Sequence, residues 1–462
     1  MTAIHHMSAE TLAAAFSSGA LSPVEAVRAC LARITAWDGK INAMYSLDAA
    51  GALDEAAAAE ARWRAGTPKS ALDGVPVTVK DNIAVRGVPM PIGTAASDMT
   101  PSAADAPPVV RMREAGCIII GKTTMPDYGM LASGVSSRHG ITRNPWNTKR
   151  NPGGSSSGAA AGLAAGYAPL ALGTDIGGSV RLPAAYNGVF ALKPSLGRVP
   201  MYPPFLGRTV GPMTRTVTDA ALMMKALTRP DARDFMALPY QDIDWPAALD
   251  MDLSGKRIGL VLDIGVGLKP QARVREAVEA AAVVFAGAGA EVEPVEPFVT
   301  AELFSALDAF FQARLLADFE VLPPERQARA LPFVVTWCQR AERLRATDAA
   351  RNLALIMLMR EKCLAAIEGH DFLLMPTSPI TAYDAEEPAP GNDPIRSFEH
   401  IVFTAPFNQS EQPAASICCG YDDDGLPIGL QIVGYRFDDL GVLQMARAYE
   451  KLRAPLHAWP EP

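Results

Sequence analysis

Residues 153–184 constrain this 462-residue chain more than any other stretch. They read GGSSSGAAAGLAAGYAPLALGTDIGGSVRLPA and set two serine clusters in a run otherwise dominated by Gly and Ala. Small residues let backbones approach closely, and Gly reaches dihedrals that side-chain-bearing residues avoid. A turn such as GTDIGGS therefore places successive backbone N–H groups and a hydroxyl around one point. That is the geometry needed to attack a carbonyl and hold the oxyanion that results. A flexible linker or a tight helix contact is the competing reading of this composition. Against a linker, SSGAAAGLAAG continues as a helix with small residues on one face, and PLALGTD has the short apolar run of a buried strand. A phosphate loop is disfavoured, because GGSSSG lacks the Lys-Ser/Thr ending of a P-loop and GTDIGGS is not GxGxxG.

A candidate base lies upstream in VPVTVKDNI, residues 75–83. The alternating β-branched run predicts a strand with Lys80 at its end. A lysine carried into the interior is costly when charged, so burial favours the neutral amine, which accepts a proton. Most strand-end lysines are simply solvated. Beside two serines, Lys80 becomes the third member of a relay.

Lys80 in VKDN, Ser155 in GGSSSG and Ser179 in GTDIGGS resemble the amidase signature family, whose hallmark is a Ser–cis-Ser–Lys triad. The blocks ALDGVPVTVKDNIAVRGVPMPIGT, GCIIIGKTTMPDYG, NPWNTKRNPGGSSSG, LKPSLGRVP and GPMTRTVTDAAL resemble the family in its own order. So do LLMPTSPITA, FTAPFNQSEQPAASICCG and DGLPIGLQIVGYRFDD near the C-terminus, so the resemblance covers nearly the whole chain. It implies Ser179 as nucleophile, Ser155 after a cis Gly154–Ser155 peptide as proton relay, and neutral Lys80 as general base. It also implies an oxyanion hole from the backbone N–H groups of Ile176, Gly177, Gly178 and Ser179. Ser156, Thr174, Asp175 and Arg181 match positions that hold the triad's hydrogen-bond network, although turn and cap chemistry explains them equally well. Gly129 and Met130 match positions lining the acyl pocket. Composition alone adds Tyr128, Tyr202, Pro203, Pro204 and Phe205 as an apolar rim to the substrate site.

Three positions depart from the family pattern. Ser157 and Ala159 replace a glycine and a serine of the usual block. Glu411, in NQSEQP, stands where relatives usually carry glycine. It faces either the pocket, where it would disfavour acidic substrates, or solvent.

The six histidines, His5, His6, His139, His370, His400 and His457, leave a Ser-His-Asp arrangement open by count. None lies in a motif that presents it to Ser179, and no GxSxG elbow occurs. His139 reads as a loop residue with a structural hydrogen bond. With no HExxH and no CxxC pair, the expectation is hydrolysis without metal or other cofactor.

A hydrophobic content of 49% supplies ample core, and a net charge of −8 gives no basic footprint for nucleic acid or anionic membranes. No charge-free run has the length and bulk of a membrane helix, and MTAIHHMSAE has no evident signal peptide. Scattered cysteines, Cys30, Cys117, Cys338, Cys363, Cys418 and Cys419, read as buried thiols rather than a disulfide framework. A cytoplasmic monomer or homodimer acting on a small-molecule amide or carbamate is the default.

Ser22-Pro23-Val24-Glu25 is a capping box opening a helix to about Ala36. Strands and helices then alternate from Pro76 through Leu227. Residues 256–263 predict a strand, followed by a helix after Pro270 and a strand near Val292. Residues 300–368 are helical and rich in Arg and Ala, as a cap-like insertion; FLLMP resumes the core, which closes with a helix after Asp438. The expectation is one α/β domain over residues 1–462, with a large, mixed, twisted central sheet covered by helices on both faces. The signature core spans about 70–225, and a C-terminal core segment about 370–455.

The leading expectation is a serine hydrolase that cleaves amide-type C–N bonds through an acyl-enzyme, with anilides and carbamate or urethane bonds in range. The alternative is the glutaminase subunit of a tRNA-dependent amidotransferase. Against it, GRVPMYPPFLGRTVGPMTRTV differs from the segment such subunits usually carry there. A binding module with a decayed site is the third class, and the presence of all three triad positions opposes it.

Overall fold

In the computed structural model, which describes residues 3–461, thirteen strands form. They are β1 (Met44–Leu47), β2 (Pro76–Lys80), β3 (Ile118–Thr123), β4 (Val135–Ser136), β5 (Gly140–Ile141), β6 (Leu170–Asp175) and β7 (Phe190–Lys193), then β8 (Thr209–Thr214), β9 (Arg257–Leu260), β10 (Glu291–Pro294), β11 (Phe372–Pro376), β12 (Ala414–Tyr421) and β13 (Pro427–Val433). Eleven of them join one mixed sheet in the order β1-β3-β2-β6-β8-β7-β12-β13-β11-β9-β10, while β4 and β5 pair as a separate ribbon. The central strands β2, β6 and β13 are buried at every residue, which is why their sequences read as near-continuous apolar runs.

Side-chain alternation along a strand divides the core between the two faces of the sheet. On β11, Phe372 and Leu374 pack with Val278 and Phe285 of the helix Ala272–Gly287 and with Val442 of the helix Asp439–Leu452. Their neighbours Leu373 and Met375 pack instead with Leu307 and Phe311 of the helix Ala301–Phe319 and with Ile356 and Met359 of the helix Ala346–Ile367. The sheet is therefore covered by helices on both sides, in a single α/β domain.

Local expectations survive with shifted ends. The capping box forms in both directions: Ser22 Oγ accepts from the Glu25 N–H at 3.2 Å, and Glu25 Oε2 accepts from the Ser22 N–H at 2.8 Å. Its helix, Pro23–Ile41, runs five residues past Ala36 and stops at Asn42, whose φ of 52° is left-handed. All six cysteines are free thiols, and Cys419 alone is incompletely buried. No helix among the described residues is long and apolar enough to cross a membrane.

Two pairings bring the signature residues together. β2 runs parallel to β6, with Val79 opposite Leu172, so Lys80 and the Thr174–Asp175 end of β6 emerge on the same edge. β8 runs antiparallel to β6, with Thr209 opposite Asp175, so Arg208 enters beside that edge.

Candidate active site

Lys80 is fully buried and donates from Nζ to Ser155 Oγ at 2.8 Å and to Thr174 Oγ1 at 3.0 Å. Asn82 Nδ2 donates to the same Thr174 Oγ1 at 3.0 Å, which fixes the hydroxyl between them. Burial pushes the Lys80 amine well below its ordinary range, the positive charge of Arg208 pushes it further, and Asp175 and Asp81 only partly oppose this. The neutral amine is a base held within hydrogen-bond reach of a hydroxyl. The Gly154–Ser155 peptide is cis. Ser156 continues that turn: its N–H donates to the Ser179 carbonyl at 3.0 Å and its Oγ to the Thr174 carbonyl at 3.3 Å.

The nucleophile loop hangs on one carboxylate at the end of β6. Asp175 accepts from the Gly178 N–H at 2.8 Å and the Val180 N–H at 3.1 Å, and from Asn408 Nδ2 at 2.9 Å. Arg181, which opens the short helix Arg181–Asn187, meets it bidentately through Nε at 3.0 Å and Nη2 at 2.9 Å. Burial would raise the Asp175 pKa, but the charge and hydrogen bonds of Arg181, with Asn408, hold it well below the usual carboxylate range. Arg181 is itself fully buried and spends Nη1 on the Thr404 carbonyl at 3.0 Å and on Gln431 Oε1 at 2.7 Å. Every charge in this pair is matched, as burial demands.

The clamp separates the four N–H groups expected in the oxyanion hole. The Gly178 N–H donates to Asp175. Among the described residues, the N–H groups of Ile176, Gly177 and Ser179 have no acceptor. Gly178 has φ +127°, and a Cβ there would collide with Thr404 Oγ1 and sit 2.7 Å from Leu182 Cδ1, so only glycine fits.

Ser179 is 9% exposed, and its Oγ makes no hydrogen bond among the described residues. It opens onto two cavities. One, about 30 Å³, is apolar, with Leu131, Leu182, Phe311, Phe398 and Ile401 around Ile176, Gly177 and Ser179. The other, about 260 Å³, holds Ser155 and Thr174 with Ser179 and reaches Arg208 and Arg314. Gly129 and Met130 line both, and Tyr128, with a left-handed φ of 54°, lines the second.

The expected apolar rim is only partly realised. Pro203 lines the larger cavity, but Tyr202 is 60% exposed and Phe205 lies under the Arg314 guanidinium at 4.1 Å. Glu411 faces neither pocket nor open solvent. Its carboxylate pairs with Arg360 at 3.0 Å and Arg436 at 2.7 Å, and its φ of +63° accounts for the glycine usual in relatives. His139 donates from Nε2 to Asp81 Oδ2 at 2.8 Å and stacks on Tyr45, a structural role. Asn82, Arg208, Arg314 and Asn408 complete the site without having been singled out by sequence. Asn82 and Asn408 had a signal, their places in quoted family blocks, while the two arginines join the site only through folding. Among the described residues, the single group able to gather three metal-ligand atoms is His5, His6 and Glu461, none of which lines either cavity.

Comparison with known proteins places this geometry in context. The sequence model described as Amidase matches residues 25–443. The A subunit of glutamyl-tRNA(Gln) amidotransferase from Myxococcus xanthus (strain DK1622) is 35% identical over 472 residues, covering 95% of this chain and 96% of that protein. A bacterial aryl acylamidase superposes with a TM-score of 0.90 at 30% identity, covering 98% and 97% of the two chains. A substrate complex of 6-aminohexanoate cyclic dimer hydrolase follows, with a TM-score of 0.88, 26% identity and 99% coverage of both.

Proposed function

The chain belongs to the amidase signature family, and from that premise we propose that it hydrolyses amide C–N bonds through an acyl-enzyme on Ser179. The observation that carries this is the buried Lys80 amine, 2.8 Å from Ser155 Oγ in the cavity that Ser179 shares. Neutral Lys80 takes a proton from Ser155 as Ser155 takes the proton of Ser179, and Ser179 Oγ attacks the amide carbonyl. The Ser155–Ser179 hydrogen bond forms as substrate seats, since such bonds are often loose without it. The three unpaired N–H groups of Ile176, Gly177 and Ser179 receive the oxyanion, a contribution of about 2.7–4 kcal/mol per donor in comparable sites. Collapse of the tetrahedral intermediate breaks the C–N bond, and the relay returns its proton to the leaving amine. Water then attacks the acyl-enzyme by the same route and frees Ser179.

The relay also assigns the two cavities. Ser155 must reach the leaving nitrogen, and it lines the larger cavity only, so the amine portion lies there and the acyl group in the small apolar one. Anilides and carbamates enter the same chemistry, because each presents a carbonyl to Ser179 and a leaving group to Ser155.

One observation favours a second reading. The 35% identity to the A subunit of an amidotransferase runs over nearly the full length of both chains and supports a glutaminase. The apolar acyl cavity opposes it, because a glutamyl group would bring its charged amino-acid end among Leu, Phe and Ile side chains. A panel of aliphatic amides, anilides, carbamates and glutamine, compared by kcat/KM, decides between them. Turnover of amides with glutamine inert supports the stand-alone reading; glutamine as the best substrate replaces it. Ser179→Ala must abolish turnover and labelling by a fluorophosphonate, and retained activity would remove the mechanism.

A further inference from the structure

The leaving-group cavity ends in two positive charges that, among the described residues, have no ion-pair partner. Arg208 follows the tight turn at Gly207, with its N–H donating to the Phe205 carbonyl at 3.1 Å. Arg314 projects from the helix Ala301–Phe319 and sits over the Phe205 ring, its Cζ 4.1 Å from the centroid. Both line the cavity that holds Ser155 and Ser179. Among the described residues, neither guanidinium makes a side-chain hydrogen bond or an ion pair. Of the four buried arginines, Arg33, Arg181 and Arg198 have carboxylate partners and Arg215 donates to three backbone carbonyls, so each has its donors engaged. Asp318, one helical turn past Arg314, lines the same cavity and offsets its charge in part, but forms no ion pair with it.

Both side chains are half-buried where they line the cavity without an ion-pair partner, and two like charges side by side repel. Burial, then Arg314, pushes Arg208 down to about 10, and burial lowers Arg314 as well. Arginine presents a planar fork that matches a carboxylate bidentately, so an anionic ligand would relieve both.

We propose that Arg208 and Arg314 bind a carboxylate carried by the amine portion of the substrate, which makes N-acylated amino acids with a small acyl group the substrate class. This rests on the amidase reading above, which puts the leaving amine in the arginine-lined cavity. It specifies what that reading leaves open. A carboxylate on the acyl side would fall in the apolar cavity, with no cation to receive it.

The test compares N-acetylphenylalanine with N-acetylphenethylamine, which differ only in the carboxylate, by amine release. A second pair, N-phenylsuccinamic acid and N-phenylbutanamide, carries the charge on the acyl side. The wild type is expected to favour N-acetylphenylalanine over its neutral partner by about 10–100-fold in kcat/KM, the range of charge-assisted hydrogen bonds. Arg208→Gln and Arg314→Gln are each expected to lower that ratio at least tenfold, mainly through KM, with Arg314→Lys restoring part of it. Ratios within one variant cancel any loss of folded enzyme. Equal turnover of the first pair, an unchanged ratio in both Gln variants, or a preference confined to the second pair would overturn the proposal and leave the amidase reading standing. No Ser179-dependent turnover of any of the four would overturn both.

Discussion

Replacing Asp175 with Asn tests whether one carboxylate organises the nucleophile loop. An asparagine with its oxygen in the Oδ1 position keeps the bonds from Gly178 N, Arg181 Nη2 and Asn408 Nδ2. Its amide nitrogen then takes the Oδ2 position, where Val180 N–H and Arg181 Nε–H both point at it. Two acceptor contacts become donor–donor clashes, and the fully buried Arg181 loses its only counter-charge. Uncompensated buried charges of this kind cost about 3–5 kcal/mol. With an unfolding entropy of about 2.1 cal/mol/K per residue, a domain of this size loses about 3–5 °C of Tm. The expected kinetic consequence is larger. The Val180 tether that follows Ser179 is lost, and misplacing even one oxyanion donor costs about 10²–10³-fold in kcat. Calorimetry and steady-state kinetics on a neutral amide read both effects, with kcat falling far more than KM rises. A variant within about 1 °C and threefold of wild type would refute the argument that Asp175 sets this loop. Acid behaviour adds a check of sign. Because the folded pKa is depressed, the clamp's contribution is full above the ordinary carboxylate range and is lost only as pH falls through and below it.

Three further outcomes follow from the same charges. The rate should rise with pH as Lys80 loses its proton, with an acid limb well below the ordinary lysine range, and Arg208→Gln should move that limb to higher pH by removing a positive neighbour; a limb that stays or moves down would contradict the role of Lys80 as base. Lys193, pushed down to about 7 by burial and then by Arg181, is neutral in the folded protein while the unfolded chain stays protonated to about 10.4, so its effect is a stability that increases between pH 7 and 10. Urea midpoints at pH 7 and 9.5 should therefore converge in Lys193→Met relative to wild type. Glu411→Ala should be less stable than Glu411→Gly by about 1–2 kcal/mol, because both lose the pairs to Arg360 and Arg436 but only alanine remains strained at φ +63°; equal denaturant midpoints would show the left-handed backbone to be without cost.

The parts of the site legible in sequence are those fixed by short-range chemistry. Lys80 ends a β-branched strand, Ser155 and Ser179 sit in runs of small residues, and Asp175 and Arg181 are six positions apart on one loop. The α/β alternation was likewise readable, because buried strands and amphipathic helices carry different periods. What escaped depends on contacts between distant segments. Arg208 and Arg314 come from different elements and meet only when the helix Ala301–Phe319 packs over the sheet, which sets Arg314 on the ring of Phe205, a residue expected only as apolar rim. Glu411 escaped for the opposite reason. Its partners, Arg360 and Arg436, lie 51 and 25 positions away, and no local pattern reveals that they absorb its charge.

The oxyanion loop shows most clearly why composition underdetermines a site. Four consecutive N–H groups, from Ile176 to Ser179, are equivalent on paper, and the resemblance assigned all four to the substrate. Folding sorts them. Asp175 turns back on its own loop and draws Gly178 and, beyond Ser179, Val180 towards itself. Each N–H that it captures fixes the orientation of the peptide plane next to it. Among the described residues, Ile176, Gly177 and Ser179 are left without acceptors beside the Ser179 hydroxyl, all three lining the small apolar cavity and Ile176 and Ser179 the larger one as well. The carboxylate thus works by taking donors away: it removes the ones that would compete and holds the rest in place before any substrate arrives, which is the preorganisation that makes such donors effective.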